Sequence, residues 1–247
     1  MLQSVPLHAL PLPGESRWLG DVTAVAYRPA GLARRTPEPP REGTWLFVVD
    51  PGRTLSTGGA ARFYRSVAPS SEVLEGDAAT GAALERELPR ARSLHLDTHA
   101  HYDPAFPELS TVDLADRRLS AAQIAARAGH LELANVSACH SASWPVTADS
   151  GRFGLAGTLA RAGVRWVVAS RAELDDALAT DFNRAFYERL AENRGVPDAF
   201  RHALGRVRAA HPVSSWAAIL LLETGTLVVS APNEAEKKGQ FSEGRTP

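Results

Sequence analysis

The sequence predicts an α/β protein with a largely parallel central sheet and helices on both faces. Three observations carry this reading. Short apolar runs of strand length alternate along the chain with stretches of helical periodicity. Some of those runs, such as Trp45–Asp50, are continuously apolar up to their last residue, as strands buried on both faces are. The run Leu94–Thr98 is followed by a segment that holds one helix and then by a second run, Leu133–Ala138. That spacing is long enough for a right-handed βαβ crossover.

Taken in order, residues 1–20 are Pro-rich and read as extended chain. Val22–Tyr27 reads as a strand from its β-branched alternation. Gly31 to Gly43 is a polar loop, and Trp45–Asp50 is a strand stopped by Pro51-Gly52. Gly59–Val67 is helical, Glu72–Glu75 a short strand, and Ala78–Leu88 a helix with Leu84 and Leu88 on one face. The central strand Leu94–Thr98 opens into a loop containing Pro104 and Pro107. Ser120 then caps a helix over Ala121–Ala128, Gln123 completes a capping box, and Gly129 ends it.

After the strand Leu133–Ala138, Ser141 to Gly151 is a polar loop. Leu155–Ala162 is a helix ended by Gly163, and Val164–Ser170 a strand. Leu174 to Asn193 is a helix with Leu178, Phe182, Phe186 and Leu190 on one stripe. Pro197 suits the first position of a helix over Asp198–Ala210. Ser215–Leu222 is a buried strand, to which Thr226–Ser230 pairs back as a hairpin. No composition break divides 1–230, which reads as one domain; 231–247 is polar and reads as a disordered tail.

Composition excludes several classes. At 247 residues and 44% hydrophobic the chain can bury a full core. A formal net charge of −1 supplies no field for nucleic acid or an anionic membrane. Nearly all basic charge is arginine, the only lysines being Lys237 and Lys238, as in a GC-rich bacterial genome. The amino terminus has no basic n-region and three prolines, unlike a signal peptide. No apolar run reaches the ~18–20 residues of a membrane span. The single cysteine, Cys139, cannot make an internal disulfide, which fits a reducing cytoplasm.

Two side chains carry the chemistry. His99 stands where the strand Leu94–Thr98 opens, and Cys139 ends the run Leu133–Ala138. In a parallel sheet such strand ends lie side by side on the edge where ligands bind. A thiolate is a strong nucleophile toward carbonyls, and an imidazole can take the thiol proton and deliver one to a leaving amine. The plainer reading also stands: free cysteine is often merely buried, and a histidine at a strand end is often merely solvated.

Asp97-Thr-His-Ala-His-Tyr-Asp103 offers a second chemistry, with His99 and His101 as the start of a divalent metal site. It resembles the first-strand motif of TatD-like and other amidohydrolase-type barrels. Such a barrel needs about seven further βα units, for which too few strands follow, and its other ligands would come from His130, His140, His202 or His211. Glu173, Asp175 and Asp176 form an acidic cluster after Ser170. Acids are favourable at a helix N-terminus; the functional alternative is a wall for an arginine or lysine side chain. No phosphate-binding glycine loop is present.

The motifs together resemble the CHAT domain, a caspase-like cysteine peptidase family related to separases and gingipains and often joined to TPR repeats. The likeness is carried by Leu94-His-Leu-Asp-Thr-His99, by Leu109 to Leu119 with Leu114-Ala-Asp116, and by Val136-Ser-Ala-Cys139. It continues through the helix and turn from Gly154 to Val164, Phe186-Tyr-Glu-Arg-Leu190, and the stretch from His211-Pro212 to Trp216. Upstream, Val5-Pro-Leu-His-Ala-Leu10 and Gly76-Asp-Ala-Ala-Thr80 also fit, so the resemblance runs from about Leu2 to Leu222.

The resemblance implies a caspase-like (caspase–haemoglobinase) fold and a cysteine endopeptidase without cofactor or metal. His99 is then the general acid/base and Cys139 the nucleophile, with the backbone N–H groups of Ala100 and Cys139 as oxyanion donors. Asp175 aligns with the acid that faces a basic P1 side chain in related enzymes, with Glu173 and Asp97 as further acids of that subsite. The partners implied are a protein substrate and an activating or recruiting protein. Three departures stand out: Ala100 where glycine is commoner, Arg171 in place of a tryptophan beside the acidic wall, and the absence of the strand that normally precedes Val5. They keep a catalytically silent CHAT-fold regulatory module in view as the alternative.

Overall fold

The computed structural model describes residues 6–28, 42–56, 58–143 and 154–224. Its elements in chain order begin with α1 (Leu19–Val22), β1 (Thr44–Val49), α2 (Ala60–Val67), β2 (Glu72–Glu75), α3 (Gly81–Glu87) and β3 (Ala91–Asp97). Next come β4 (Ala100–His101), β5 (Thr111–Asp113), β6 (Arg118–Ser120), α4 (Ala121–Ala128), β7 (Leu133–Ser137) and α5 (Gly154–Ala162). The order closes with β8 (Trp166–Ser170), α6 (Asp176–Ala191), α7 (Val196–Arg208), α8 (Val213–Trp216) and β9 (Ile219–Glu223).

Six strands form one sheet in the order β2-β1-β3-β7-β8-β9. All neighbours run parallel except β9, which is antiparallel to β8. This is the mixed α/β, mostly parallel architecture that the sequence predicts. Alternate residues feed two cores, as the two-residue period of a strand requires. Leu46, Val48, Leu94, Leu96, Val136 and Val167 pack against one layer, supplied by Leu84, Ile124, Leu155 and Leu159 of α3, α4 and α5. Phe47, Val49 and Val168 pack against the other, supplied by Tyr64, Phe182, Phe186, Tyr187 and Phe200 of α2, α6 and α7.

The capping box is formed as the sequence expects: Ser120 Oγ accepts the Gln123 amide at 3.2 Å and Gln123 Oε1 accepts the Ser120 amide at 2.8 Å. Elsewhere the structure corrects the reading. Val22–Tyr27 is not a strand; Asp21 accepts the Trp18 amide at 2.7 Å and closes the helical turn α1, and Tyr27 alone bridges Leu222. Trp18 packs edge-on against Trp216 at 5.4 Å, so tertiary packing overrides the β-branched propensity. The start of the expected strand Ser215–Leu222 is instead the helical turn α8.

The expected loop after His99 contains a small antiparallel sheet, β4-β5-β6, of strands too short for a period to show. Gly195 caps α7, so Pro197 is its second residue rather than its first. The hairpin Thr226–Ser230, the tail 231–247 and most of the Gly31–Gly43 and Ser141–Gly151 loops lie outside the described residues. Among the described residues no helix is long and apolar enough to cross a membrane.

Candidate active site

β3 and β7 lie side by side and in register, with Asp97 opposite Ser137. Two residues further along each chain come His99 and Cys139. Both line one small cleft beyond the carboxyl ends of the strands, together with Leu55, Asp97, Ser137, Leu174 and Asp176. Beneath it a second, water-sized pocket is lined by Asn135, Ser137, Leu174, Ala179 and Asn183.

Cys139 is half-buried, and the Leu174 amide donates to its sulfur at 3.3 Å. The thiol in turn donates to the Leu174 carbonyl at 3.9 Å. The turn that presents the sulfur is stitched to the end of β8. His140 adopts a left-handed conformation (φ 55°) and its amide donates to the Ala172 carbonyl at 3.1 Å. The buried Ser141 hydroxyl donates to the Val136 carbonyl at 3.1 Å and accepts the Ser170 amide at 3.0 Å. Ser143 Oγ donates to the Arg171 carbonyl at 2.8 Å.

His99 is exposed, and its Nε2 lies 2.9 Å from the Thr54 hydroxyl. Its carbonyl accepts the Asp113 amide at 3.0 Å, and Ala100 pairs with Val112. In an antiparallel ladder N–H groups alternate in direction, so the Ala100 N–H turns away from β5. Ala100 has no positive φ, so alanine here carries none of the strain that would demand glycine.

Of the acids read as a P1 wall, the structure brings Asp97 and Asp176 into the cleft. Asp97 lines it and is only 5% exposed. Burial, with the charges of Asp176 and Asp50 adding, pushes the Asp97 carboxyl up to about 7. Asp175 does not line it: its carboxylate turns back on α6 as the N-cap, accepting the Ala177 and Leu178 amides at 3.0 and 3.1 Å. Glu173 is exposed and also outside the cleft wall. Asp176, the third acid of the cluster after Ser170, lines the cleft beside Asp97 and accepts the Ser56 amide at 2.8 Å. Arg171 is not in the wall either; its charge is felt by His8 and Tyr27.

Polar side chains extend from the cleft floor into the core. Asn183 Nδ2 donates to Ser137 Oγ at 2.9 Å, and Asn183 Oδ1 accepts from Asn135 Nδ2 at 2.9 Å. Tyr64 and His95 meet at 3.0 Å, and full burial lowers the His95 imidazole to about 3. The two histidines of the metal motif do not converge. His101 bonds to Asp113 at 2.9 Å while His99 bonds to Thr54, and among the described residues no group of three or more His, Cys, Asp or Glu side chains could hold a metal.

The sheet order and the two-sided helical cover define a caspase-like α/β protein, and solved structures share the fold. The protein of the Saccharomyces cerevisiae separase–securin complex superposes with a TM-score of 0.52 at 14% identity, over 74% of this chain and 12% of that one. The Arg-specific cysteine proteinase gingipain R superposes with a TM-score of 0.52 at 11% identity, over 73% of this chain and 46% of that one. This chain therefore spans less than half the length of either. The CHAT domain family matches residues 1–224, and the chain belongs to it. No curated protein sequence matches the chain.

Proposed function

We propose that this CHAT domain is a cysteine endopeptidase that cleaves protein substrates after a basic residue, under the control of a protein partner. The observation that carries the reading is that His99 and Cys139 line one cleft, reached from two parallel strands in register. In the reaction His99 takes the thiol proton and the sulfur attacks the scissile carbonyl. The resulting oxyanion is held by the N–H groups of Ala100 and Cys139. The C–N bond breaks as His99 returns the proton to the leaving amine, which gives a thioester. Water, deprotonated by His99, attacks the thioester and the sulfur departs with the proton. Asp97 and Asp176, which line the cleft, meet the P1 arginine or lysine in this reading.

The separase structure is a complex with securin; a comparable protein partner for this chain belongs to the proposal. One observation favours the silent module instead: the imidazole is hydrogen-bonded to Thr54 and the sulfur to Leu174, not to each other. The test is cleavage of a peptide library by the purified chain beside its Cys139→Ala and His99→Ala variants. Loss of cleavage in both variants supports the peptidase. Wild-type rates in either variant overturn it. Absence both of cleavage and of Cys139 labelling by a peptidyl electrophile, with and without candidate partners, establishes the silent module.

A further inference from the structure

The loop that follows β1 is held more firmly than its exposure would suggest. Three successive amides are taken by carboxylates: Thr54 and Leu55 donate to Asp50 Oδ1 at 2.8 and 3.1 Å, and Ser56 donates to Asp176 at 2.8 Å. The Asp50 amide in turn donates to the Asp97 carbonyl at 2.8 Å, which fastens the start of the loop to the end of β3. Asp50 and Arg53 both adopt left-handed conformations, φ 42° and 54°. Non-glycine residues are strained there and persist where their surroundings over-determine them. What this framework presents is one hydroxyl, Thr54 Oγ1, at 2.9 Å from His99 Nε2.

We propose that Thr54 is a positioning residue for His99, fixing the ring so that Nε2 stays engaged and Nδ1 is the nitrogen free to exchange protons in the cleft. The proposal rests on the peptidase reading for its catalytic consequence. In the tautomer this proposal assigns, Nε2–H of the neutral ring donates to Oγ1, and the Nδ1 lone pair can accept the thiol proton. In the imidazolium Nε2–H donates to the same oxygen. One hydrogen bond therefore serves both protonation states, and the ring need not turn between thiol deprotonation and protonation of the leaving amine. This is the orienting role of a third group beside a nucleophile and its base, filled by a neutral side chain. It therefore supplies direction without the charge of a carboxylate.

The experiment compares Thr54→Val with Thr54→Ser in the full chain. Valine keeps the shape and removes the hydroxyl; serine keeps the hydroxyl. For Thr54→Val the expected result is a kcat lower by about 10- to 100-fold, the scale of a misplaced reacting group, with KM within about two-fold. Serine restores kcat to within about three-fold of wild type. Nitrogen-15 shifts of the His99 ring supply a readout that needs no substrate. The wild type is expected to show protonated Nε2 and unprotonated Nδ1 at high pH, and Thr54→Val a mixture of tautomers; Thr54→Ala replaces it if valine disturbs folding. A wild-type kcat in the valine variant, or an unchanged tautomer signature, overturns the proposal. A locked ring in a protein without Cys139-dependent cleavage overturns the peptidase reading and the catalytic role together, while leaving the Thr54–His99 bond established.

Discussion

Asp97 and Ser137 are partners in the β3–β7 ladder, and each stands two residues before one of the two groups proposed for catalysis. The convergence of His99 and Cys139 follows from that pairing. The offset from a shared row is the same on both strands, so neighbouring parallel strands deliver both chains to one edge of the sheet. A slip of one residue would turn one strand's set of side chains to the other face. Leu94 and Leu96 would then leave the layer in which they meet Ile124, and that cost secures the register.

The titration of Asp97 gives the first prediction. Its folded pKa, about 7, lies above the ordinary 3.8. Between roughly pH 4 and 7 the folded chain holds a proton that the unfolded chain has released, so this contribution to stability falls as pH rises. Above pH 7 the cost is on the order of 4 kcal/mol. Asp97→Asn should therefore be more stable than wild type at pH 8, and the difference should vanish near pH 4. His95 works in the opposite sense: with its imidazole lowered to about 3, stability falls as pH drops below 6.5. Denaturant unfolding at pH 4, 6 and 8 measures both slopes. Cleavage after basic residues should rise with pH through about 7 in wild type and lose that rise in Asp97→Asn.

Asp175 and Asp176 are expected to separate stability from specificity. Asp175→Ala removes two capping bonds to α6. It should cost about 1 kcal/mol of stability and leave P1 preference unchanged. Asp176→Asn keeps an acceptor for the Ser56 amide but removes the charge from the cleft. It should lower kcat/KM for basic P1 substrates by about 10- to 100-fold, the value of a charged hydrogen bond, with little change in stability. Kinetics on matched arginine, lysine and norleucine peptides, beside thermal unfolding, check the pair.

The strands that bring His99 and Cys139 together were legible because each is an apolar run that ends on a reactive side chain. The helix Ala121–Ala128 was legible because its cap is written in Ser120 and Gln123. The choice between Asp175 and Asp176 was not legible. It turns on a single residue at the start of α6, where the N-cap side chain folds back on the amides and the next one projects into the cleft. Thr54 was invisible for another reason: it reaches His99 across 45 positions of sequence from a loop with no period to read. The strands β4, β5 and β6 span only two or three residues each, too few for alternation to register.

Ser141 tests how the nucleophile turn is held. Its hydroxyl joins the Val136 carbonyl to the Ser170 amide and is 1% exposed. Ser141→Ala removes both of these buried bonds, at an expected cost of about 1–3 kcal/mol. The turn carrying Cys139 should loosen as well, so alkylation of Cys139 by iodoacetamide should change in rate while Ser143→Ala, at the half-buried rim, has a smaller effect on stability. Equal stability of wild type and Ser141→Ala by urea titration would remove this role.

Asn183 provides the most demanding prediction, because it concerns why the floor of the cleft is polar at all. β1 sends Phe47 and Val49 into the layer beneath α6, whereas the neighbouring β3 and β7 send His95, Asp97, Asn135 and Ser137 there. Asn183 reconciles the two by bonding Ser137 and Asn135 at once, with Tyr187 as a further partner of Asn135 at 3.3 Å. Replacing only Asn183 by leucine takes a bond from both Ser137 and Asn135, leaving Asn135 with Tyr187, and should cost about 1–3 kcal/mol. Replacing all three, as Asn135→Leu, Ser137→Ala and Asn183→Leu, removes the polar groups of this network except the Tyr187 hydroxyl and should recover part of that loss, since removing both partners of a buried bond costs less than removing one. If the network serves only stability, the triple variant should also recover Cys139 reactivity. If it fixes Ser137, and through it the residues that follow on β7, stability should return while peptide cleavage and alkylation kinetics stay impaired. The second outcome is expected, because Ser137 lines both the cleft and the cavity beneath it.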